Sequence, residues 1–512
     1  WLKPLTSAHH LLALPLAPLK MAPTPSSAVM VPAPSSAVVI NSDMGAHGQE
    51  QKVVRRSKAK SRSPSPPSLT RRATSGQEQL IIVSCYTRFD NLAHGPKGTE
   101  ASQSLYTFRM DPSDGQMVLV SVTKEPVMNP AFSRFHPSKN VLYTCTESVA
   151  EPGEVIAWNV CPSGQLSKIS SRSAGGTSTC YITLDKECNN MLVVNYWNAT
   201  IGVFGLDQES GSVGTMRCMH DPNLGRTMKA KHNKHVNHSQ NDQTAQKERQ
   251  SDPHSHAVIL DPFYGCIAFV PDLGMDLIRQ FRYDRESGSL TEAGSISSGP
   301  EGRKALGPRY IEFHPTLPVC YVVNELSSEV SVFTFDRQTA EDLINGVSPE
   351  KTQPTLRLVQ TLRTLPEGFP GSMNTCGRIA VHPGGNFVLV SNRGHDSVVV
   401  FRVHHEMPSA GLLSVASTQH TRGATPRHFQ FDASGQWLVT ANQDSDSIGV
   451  FWFNLATGKL TWTGHEYSVP SPNFVCSVTP HAHVMDRPRS ISSPVALQAP
   501  LEGAVSVPSA RL

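Results

Sequence analysis

The chain lacks any apolar run near the roughly 20 residues that a membrane-crossing helix needs; the apolar stretch LLALPLAPL at 11–19 is broken by Pro15 and Pro18. No membrane partner is therefore expected. It also lacks a CxxC pair. Ten cysteines are scattered from Cys85 to Cys476, and Cys145, Cys266, Cys320 and Cys476 fall inside apolar strand-like runs. That pattern reads as reduced core thiols of a cytosolic protein and gives neither a disulfide frame nor a zinc site. Charge of one sign is scarce too: the net +3 divides into +7 over residues 1–78 and −4 over the rest. A mildly acidic body offers no broad surface for nucleic acid.

What is present begins with a tail. Residues 1–78 are rich in Pro, Ser and Ala and then basic, and they hold too little apolar surface to fold, so a disordered extension is expected. Trp1 is not an initiator residue, which reads as a fragment or an over-extended reading frame with Met21, Met30 and Met44 as candidate starts. The few acids near 11–19 are also compatible with an organellar transit segment. Residues 481–512, again Pro- and Ser-rich, are expected to be a second unfolded tail.

From Gln79 short β runs alternate with Gly, Pro, Asp and Asn. Six hairpins align on their turns, at 130–147, 179–196, 255–272, 308–325, 377–393 and 426–443. Gly307 to Leu326, GPRYIEFHPTLPVCYVVNEL, is representative: an apolar run through Phe313, a turn opened by His314-Pro315, and a β-branched run ending at Asn324-Glu325. Each hairpin is followed by a third strand such as SEVSVFTFD or DSIGVFWFN, and usually by a fourth. Four antiparallel strands repeated six times predict propeller blades. The ends supply a seventh: runs at 80–87, 104–110 and 117–122 lack an innermost partner, and PNFVCSV at 472–478 is such a strand with nothing after it. The fold class is thus all-β, a seven-bladed β-propeller over 79–480 whose first blade is closed by the C-terminal strand, and a monomer is expected.

Two insertions interrupt the repeat. Residues 220–253 are polar and carry His232, His235 and His238, which are read as part of a rim loop and not as a metal site because no rigid frame holds them. Residues 340–374 are read as a second surface loop.

The spacing also locates a site. Taking the turn residue as zero, the position five before it holds Ala131, Cys180, His256, Arg309, Gly377, Arg427 and, on the closing strand, Asn473. Arg378 is displaced by one. Eleven after the turn stand Tyr86, Glu147, Tyr196, Asp272, Glu325, Arg393 and Gln443, and ten after it Asn324, Asn392 and Asn442 among others. Both sets belong at one mouth of the central channel. Convergent arginine, histidine and carboxylate there suit an anionic substrate and acid/base work. His136, His314 and His382, at the turns, belong to the opposite face and are read as bonding backbone.

The runs DPHSHAVILDP, VPDLG, GPRYIEFHP, VVNEL, SNRGHDSV and TPRHFQFDASGQWLVTANQDSDSI closely resemble the seven-bladed lactonase family, which includes propeller-type 6-phosphogluconolactonases and fungal carboxy-cis,cis-muconate cyclases. The resemblance covers about residues 80–480. It implies a metal-independent enzyme with no cofactor, and a catalytic set of His256, Arg309, Glu325 and Arg393. His254 lies in the same Pro-His-Ser-His motif, where the family usually has PHAH. Arg427, Asp272, Asn324, Asn392, Asn442, Gln443, His254 and Glu147 are the candidate substrate-binding residues. The activity implied is hydrolysis of 6-phosphoglucono-δ-lactone in cytoplasmic pentose-phosphate carbohydrate metabolism. The alternatives are a muconate-cyclase reaction, with arginines on the carboxylates, and a non-catalytic scaffold, which would not need the ionic mouth.

Overall fold

The computed structural model describes residues 79–223, 249–250, 252–348 and 353–481. Both tails and the His232, His235 and His238 triplet lie outside the described residues. The described part of the chain forms seven four-stranded antiparallel sheets, each with its strands in sequence order from the inside outward except the one that joins the two ends. Blades 2 to 7 occupy 130–177, 179–220, 259–297, 308–363, 375–420 and 426–468.

Blade 1 is the closure. The strand Pro472–Val478 takes the innermost place beside Gln79–Cys85, with Ile82 opposite Cys476 and Leu80 opposite Val478. Leu105–Met110 and Met117–Val122 complete the sheet. Pairing of the two ends removes the free inner edge that an open ring would present.

The second strand of each blade explains why the sheets stand face to face. In Asn190–Asn195, Ile267–Asp272 and Val319–Asn324 every residue is buried. Their β-branched runs read as continuous, not alternating, because neighbouring blades cover both faces. Outermost strands such as Leu413–His420 alternate between covered and open positions instead.

At the turn face the fold uses histidine as a connector. His314 Nδ1 accepts the backbone N–H groups of Thr316 and Leu317 at 3.1 and 2.9 Å, while its Nε2 meets the Gly385 carbonyl of the next blade at 2.9 Å. His382 repeats this, accepting from Gly384 and reaching the Gly435 carbonyl at 3.0 Å. Where the turn residue is Asp261 or Asp432, its carboxylate accepts several backbone N–H groups of its own turn. In this way each turn group closes donors that the hairpin leaves over.

One stretch differs from its sequence reading. Within 340–374, expected as a loop, lie most of the helix α1 (Arg337–Ile344), capped by Asp336, and the fourth strand of blade 5, Leu356–Arg363. Leu356 and Leu343 pack in one apolar cluster with Phe333 and Phe335. The apolar positions were there in the sequence; the polar residues between them masked a strand that is open on one side.

Candidate active site

The innermost strands carry a β-bulge at a repeated place. Registers slip between Pro130 and Phe132, Thr179 and Tyr181, Pro308 and Tyr310, and Pro426 and His428. The closing strand skips Asn473, and in blade 6 the slip spans Cys376 to Ile379. The unpaired residues are therefore Ala131, Cys180, Arg309, Arg427, Asn473 and the Gly377-Arg378 pair. All but Arg378, which is displaced by one, are the residues counted as five before the turn. A bulge re-aims a side chain and ends strict alternation, so this ring leaves the ladder and turns into the channel. In blade 4 the same place is held by His256, whose N–H bonds the Pro271 carbonyl at 3.0 Å between two separate stretches of pairing.

The ring surrounds a narrow recess, partly open to solvent, lined by Ala131, Cys180, His256, Arg309, Arg427 and Asn473 together with Tyr86 and Glu147. A second ring lies one residue further along each strand, made of Phe132, Tyr181, Tyr310, His428 and Phe474, of which Tyr310, His428 and Phe474 line the recess as its floor. The side chains touch in sequence around the channel: His428 stacks on Phe474 at 3.8 Å, Phe474 meets Phe132 at 4.5 Å, Phe132 meets Tyr181 at 4.4 Å, and Tyr181 meets Tyr310 at 5.2 Å. Such contacts favour offset and tilted rings. Arg378 joins this layer, 5.5 Å from the Tyr310 ring and paired with Glu312 at 3.0 Å. The aromatic layer was missed by sequence reasoning, although its signal, an aromatic or histidine immediately after the bulged position, repeats in five blades.

Above the floor the charges are interlocked. Glu325 Oε2 accepts from Arg309 Nε at 3.0 Å and pairs with an Arg393 terminal nitrogen at 3.1 Å, and its Oε1 takes Arg249 at 2.6 Å. Burial alone would push this carboxyl up, but Arg249, Arg393 and Arg309 outweigh it and hold Glu325 well below the usual carboxylate range. Arg309 is fixed further by the Gly377 carbonyl at 3.2 Å and by the Tyr310 ring 4.4 Å beneath its guanidinium. Gly377 is required there: a Cβ would stand 2.6 Å from Ser391 Oγ and 2.8 Å from the Arg427 carbonyl. Arg393 also donates to the Cys376 carbonyl at 2.5 Å, and burial, partly offset by Glu325, lowers its guanidinium to about 10, which leaves it cationic at neutral pH.

Arg249 was not anticipated. It belongs to the inserted polar segment, not to a blade, and donates its Nε to Tyr196 Oη at 2.9 Å. No repeat spacing could have found it. On the other side of the recess Tyr86 donates to Glu147 at 2.8 Å, and the Arg427 guanidinium lies 5.4 Å from the Tyr86 ring. Four guanidiniums against two carboxylates leave the mouth net cationic.

His256 is 7% exposed, set between Tyr196 and Tyr310 with ring centroids at 5.0 and 5.5 Å, and its Nδ1 lies 3.7 Å from Cys180 Sγ. Burial first, and Arg309 next, push its pKa well below the ordinary histidine value. It is thus neutral at physiological pH.

The other expected residues occupy different places. Asn324, Asn392 and Asn442 are buried at strand ends, bonded to Ser298 and Ser331, to Thr364 and Ser397, and to Thr421 and Ser447 respectively. Asp272 accepts the His254 N–H at 2.8 Å and the Ser255 hydroxyl at 3.1 Å. His254 stacks on Tyr196 at 5.0 Å, so it supports the wall from behind. Gln443 donates to Asp444. None of these six lines the recess. Among the described residues no three His, Cys, Asp or Glu side chains converge as metal ligands, and no helix is long and apolar enough to cross a membrane.

Comparison with known proteins agrees with this architecture. The family model described as "Lactonase, 7-bladed beta-propeller" matches residues 80–477. The chain is 28% identical to a 6-phosphogluconolactonase of Bacillus subtilis, over 72% of this chain and 93% of that protein. It is 27% identical to a 6-phosphogluconolactonase of Formosa agariphila, over 70% and 90%. Among solved structures, the periplasmic gluconolactonase PpgL of Pseudomonas aeruginosa superposes with a TM-score of 0.62 at 24% identity, covering 79% of this chain and all of that one.

Proposed function

The chain belongs to the seven-bladed β-propeller lactonase family, and from that premise we propose that it hydrolyses a sugar lactone, with 6-phosphoglucono-δ-lactone as the substrate. The observation that carries this reading is the pairing, in one recess, of a neutral buried imidazole with fixed guanidiniums. Ring opening of an ester needs a base for water and a cation where the carbonyl oxygen gathers charge.

In this reading His256 takes a proton from water as the water oxygen bonds to the lactone carbonyl carbon. Arg309 faces the resulting oxyanion. The tetrahedral carbon then expels the ring oxygen, which recovers the proton from His256 and leaves as a hydroxyl, and the new acid ionises. Glu325 is saturated by three arginines, so its part is to hold Arg309 and Arg393 in place and not to exchange protons. Arg427, against the Tyr86 ring at the recess wall, suits the phosphate through charge-assisted bonds.

The test is the initial rate of acid release by the purified full chain from freshly prepared 6-phosphoglucono-δ-lactone and glucono-δ-lactone, with spontaneous opening subtracted, beside carboxy-cis,cis-muconate. Turnover of the phosphorylated lactone well above the others is expected. Cyclisation of the muconate with neither lactone turned over sinks the proposal in favour of the lactone-forming reaction.

A further inference from the structure

The recess contains two polar groups that the charge network does not use. His428 is 2% exposed and held in place by the Phe474 ring and by the backbone N–H of Val475, which donates to its Nδ1 at 3.2 Å. Since Nδ1 accepts, the proton of the neutral ring sits on Nε2. Burial, with Arg378 and Arg309 next, keeps the ring from taking a second proton. Nε2 is nevertheless buried without a hydrogen-bond partner among the described residues. The turn histidines show what the fold does otherwise: His314 and His382 each spend Nε2–H on a carbonyl. The second group is Asn473, also 2% exposed. Its amide is oriented by donation from Nδ2 to the Pro130 carbonyl at 2.9 Å, which leaves Oδ1 buried and unpaired among the described residues. Both side chains line the same recess.

A buried neutral donor and a buried neutral acceptor are expensive to leave unmade, and arginines already supply the anion's partners. The acceptor is the more telling. When a ligand displaces water from the recess, Oδ1 needs a hydrogen that the ligand brings, and an ionised dicarboxylate brings none. A hydroxyl can give a hydrogen to Asn473 and take one from His428.

We propose that His428 and Asn473 are specificity-determining residues that read the ring hydroxyls of a polyhydroxylated ligand, so that the recess selects hydroxyl-bearing lactones over bare ones of the same ring size. The idea deepens the lactonase reading and, for catalysis, rests on it.

The experiment compares kcat/KM of the full chain for glucono-δ-lactone and for δ-valerolactone, the same six-membered ring without hydroxyls. His428→Phe keeps an aromatic ring against Phe474 but removes the donor. It lowers the preference for the hydroxylated lactone about tenfold, the size of one such bond. His428→Gln, which restores an N–H, regains part of it. Asn473→Leu lowers the preference independently. An unchanged preference in folded variants, judged by their thermal transitions, overturns the proposal, as does an equal loss on both lactones. Calorimetric titration with sodium gluconate and sodium pentanoate separates this from the reaction. If the wild type opens no lactone but binds gluconate, and His428→Phe weakens gluconate about tenfold and pentanoate not at all, hydroxyl reading stands and lactone hydrolysis falls. If gluconate binds no better than pentanoate, hydroxyl reading falls whatever the enzyme does.

Discussion

Histidines stand at both ends of the innermost strands, and their surroundings differ in kind. At the turn end His314 and His382 have both ring nitrogens engaged with backbone, one within the turn and one on the next blade. At the mouth His256 sits between tyrosine rings beside Arg309 and Glu325, and His428 keeps a buried N–H without a partner among the described residues. The same residue type thus closes the fold at one end and is left unfinished at the other. A protein gains nothing in stability from unfinished polar groups, so the second arrangement points to a ligand and the first does not.

The strongest way to break this comparison is to truncate on each side. His256→Ala removes the base and is expected to lower kcat/KM roughly 10²- to 10⁴-fold. Arg309→Ala removes the oxyanion donor for roughly 10²- to 10³-fold. Both are read as initial rates on the phosphorylated lactone. At the other end His314→Ala and His382→Ala strip backbone groups of a partner and should each destabilise the fold by about 1–3 kcal/mol in denaturant unfolding, with turnover per folded molecule unchanged. A loss of turnover in folded turn variants, together with active His256 and Arg309 variants, would reverse which face is functional.

Why one end was readable in advance follows from the bulge. A fixed count back from the turn finds Arg309, Arg427, Cys180, Ala131 and Asn473 because a bulge falls at that count in each of their blades. Even the one-residue offset of Arg378 has a cause in the longer slip of blade 6. The count forward, eleven past the turn, worked less well as a guide to the recess. Tyr86 and Glu147 reach it, whereas Asp272 and Gln443 are turned to their own blades. Regular strand ends place a backbone position reliably, but the last side chain follows local bonding. The aromatic floor escaped notice because Tyr310 and Phe474 also look like ordinary apolar strand residues. Arg249 escaped because it lies outside every repeat.

Arg249 sharpens the comparison on a smaller scale, since it tests whether the mouth is tuned by chain outside the blades. It binds Glu325 Oε1 at 2.6 Å, whereas Arg309 and Arg393 meet Oε2. Arg249→Gln keeps an N–H donor without the charge and should leave Glu325 with two arginines on its other oxygen. Because Arg309 is then held less firmly, kcat is expected to fall about tenfold with little change in KM, and Arg249→Lys to recover part of the loss. A rise in KM at constant kcat would instead put Arg249 on the substrate.

The mildest effect expected is on pH. In His256 burial and Arg309 depress the pKa, so the neutral base persists below the ordinary histidine value near 6.5. The acid limb of kcat/KM should therefore lie well below pH 6.5, and activity should be nearly level from there to neutrality. Stability runs the other way. His256 and His428 both have folded pKa values below their unfolded ones. Below about pH 6.5 the unfolded chain takes up protons that the folded chain refuses, so stability falls as pH drops through that range and is unaffected by these groups above it. The turn histidines are lowered too, by burial, but the Gly385 and Gly435 carbonyls oppose the shift. In a His428→Phe variant the slope of unfolding free energy against pH between 5 and 6.5 should be shallower than in the wild type. In His314→Ala it should change less. An acid limb centred at 6.5 or above would mean that His256 is neither buried nor the base, and the contrast between the two ends of the strands would lose its chemical half.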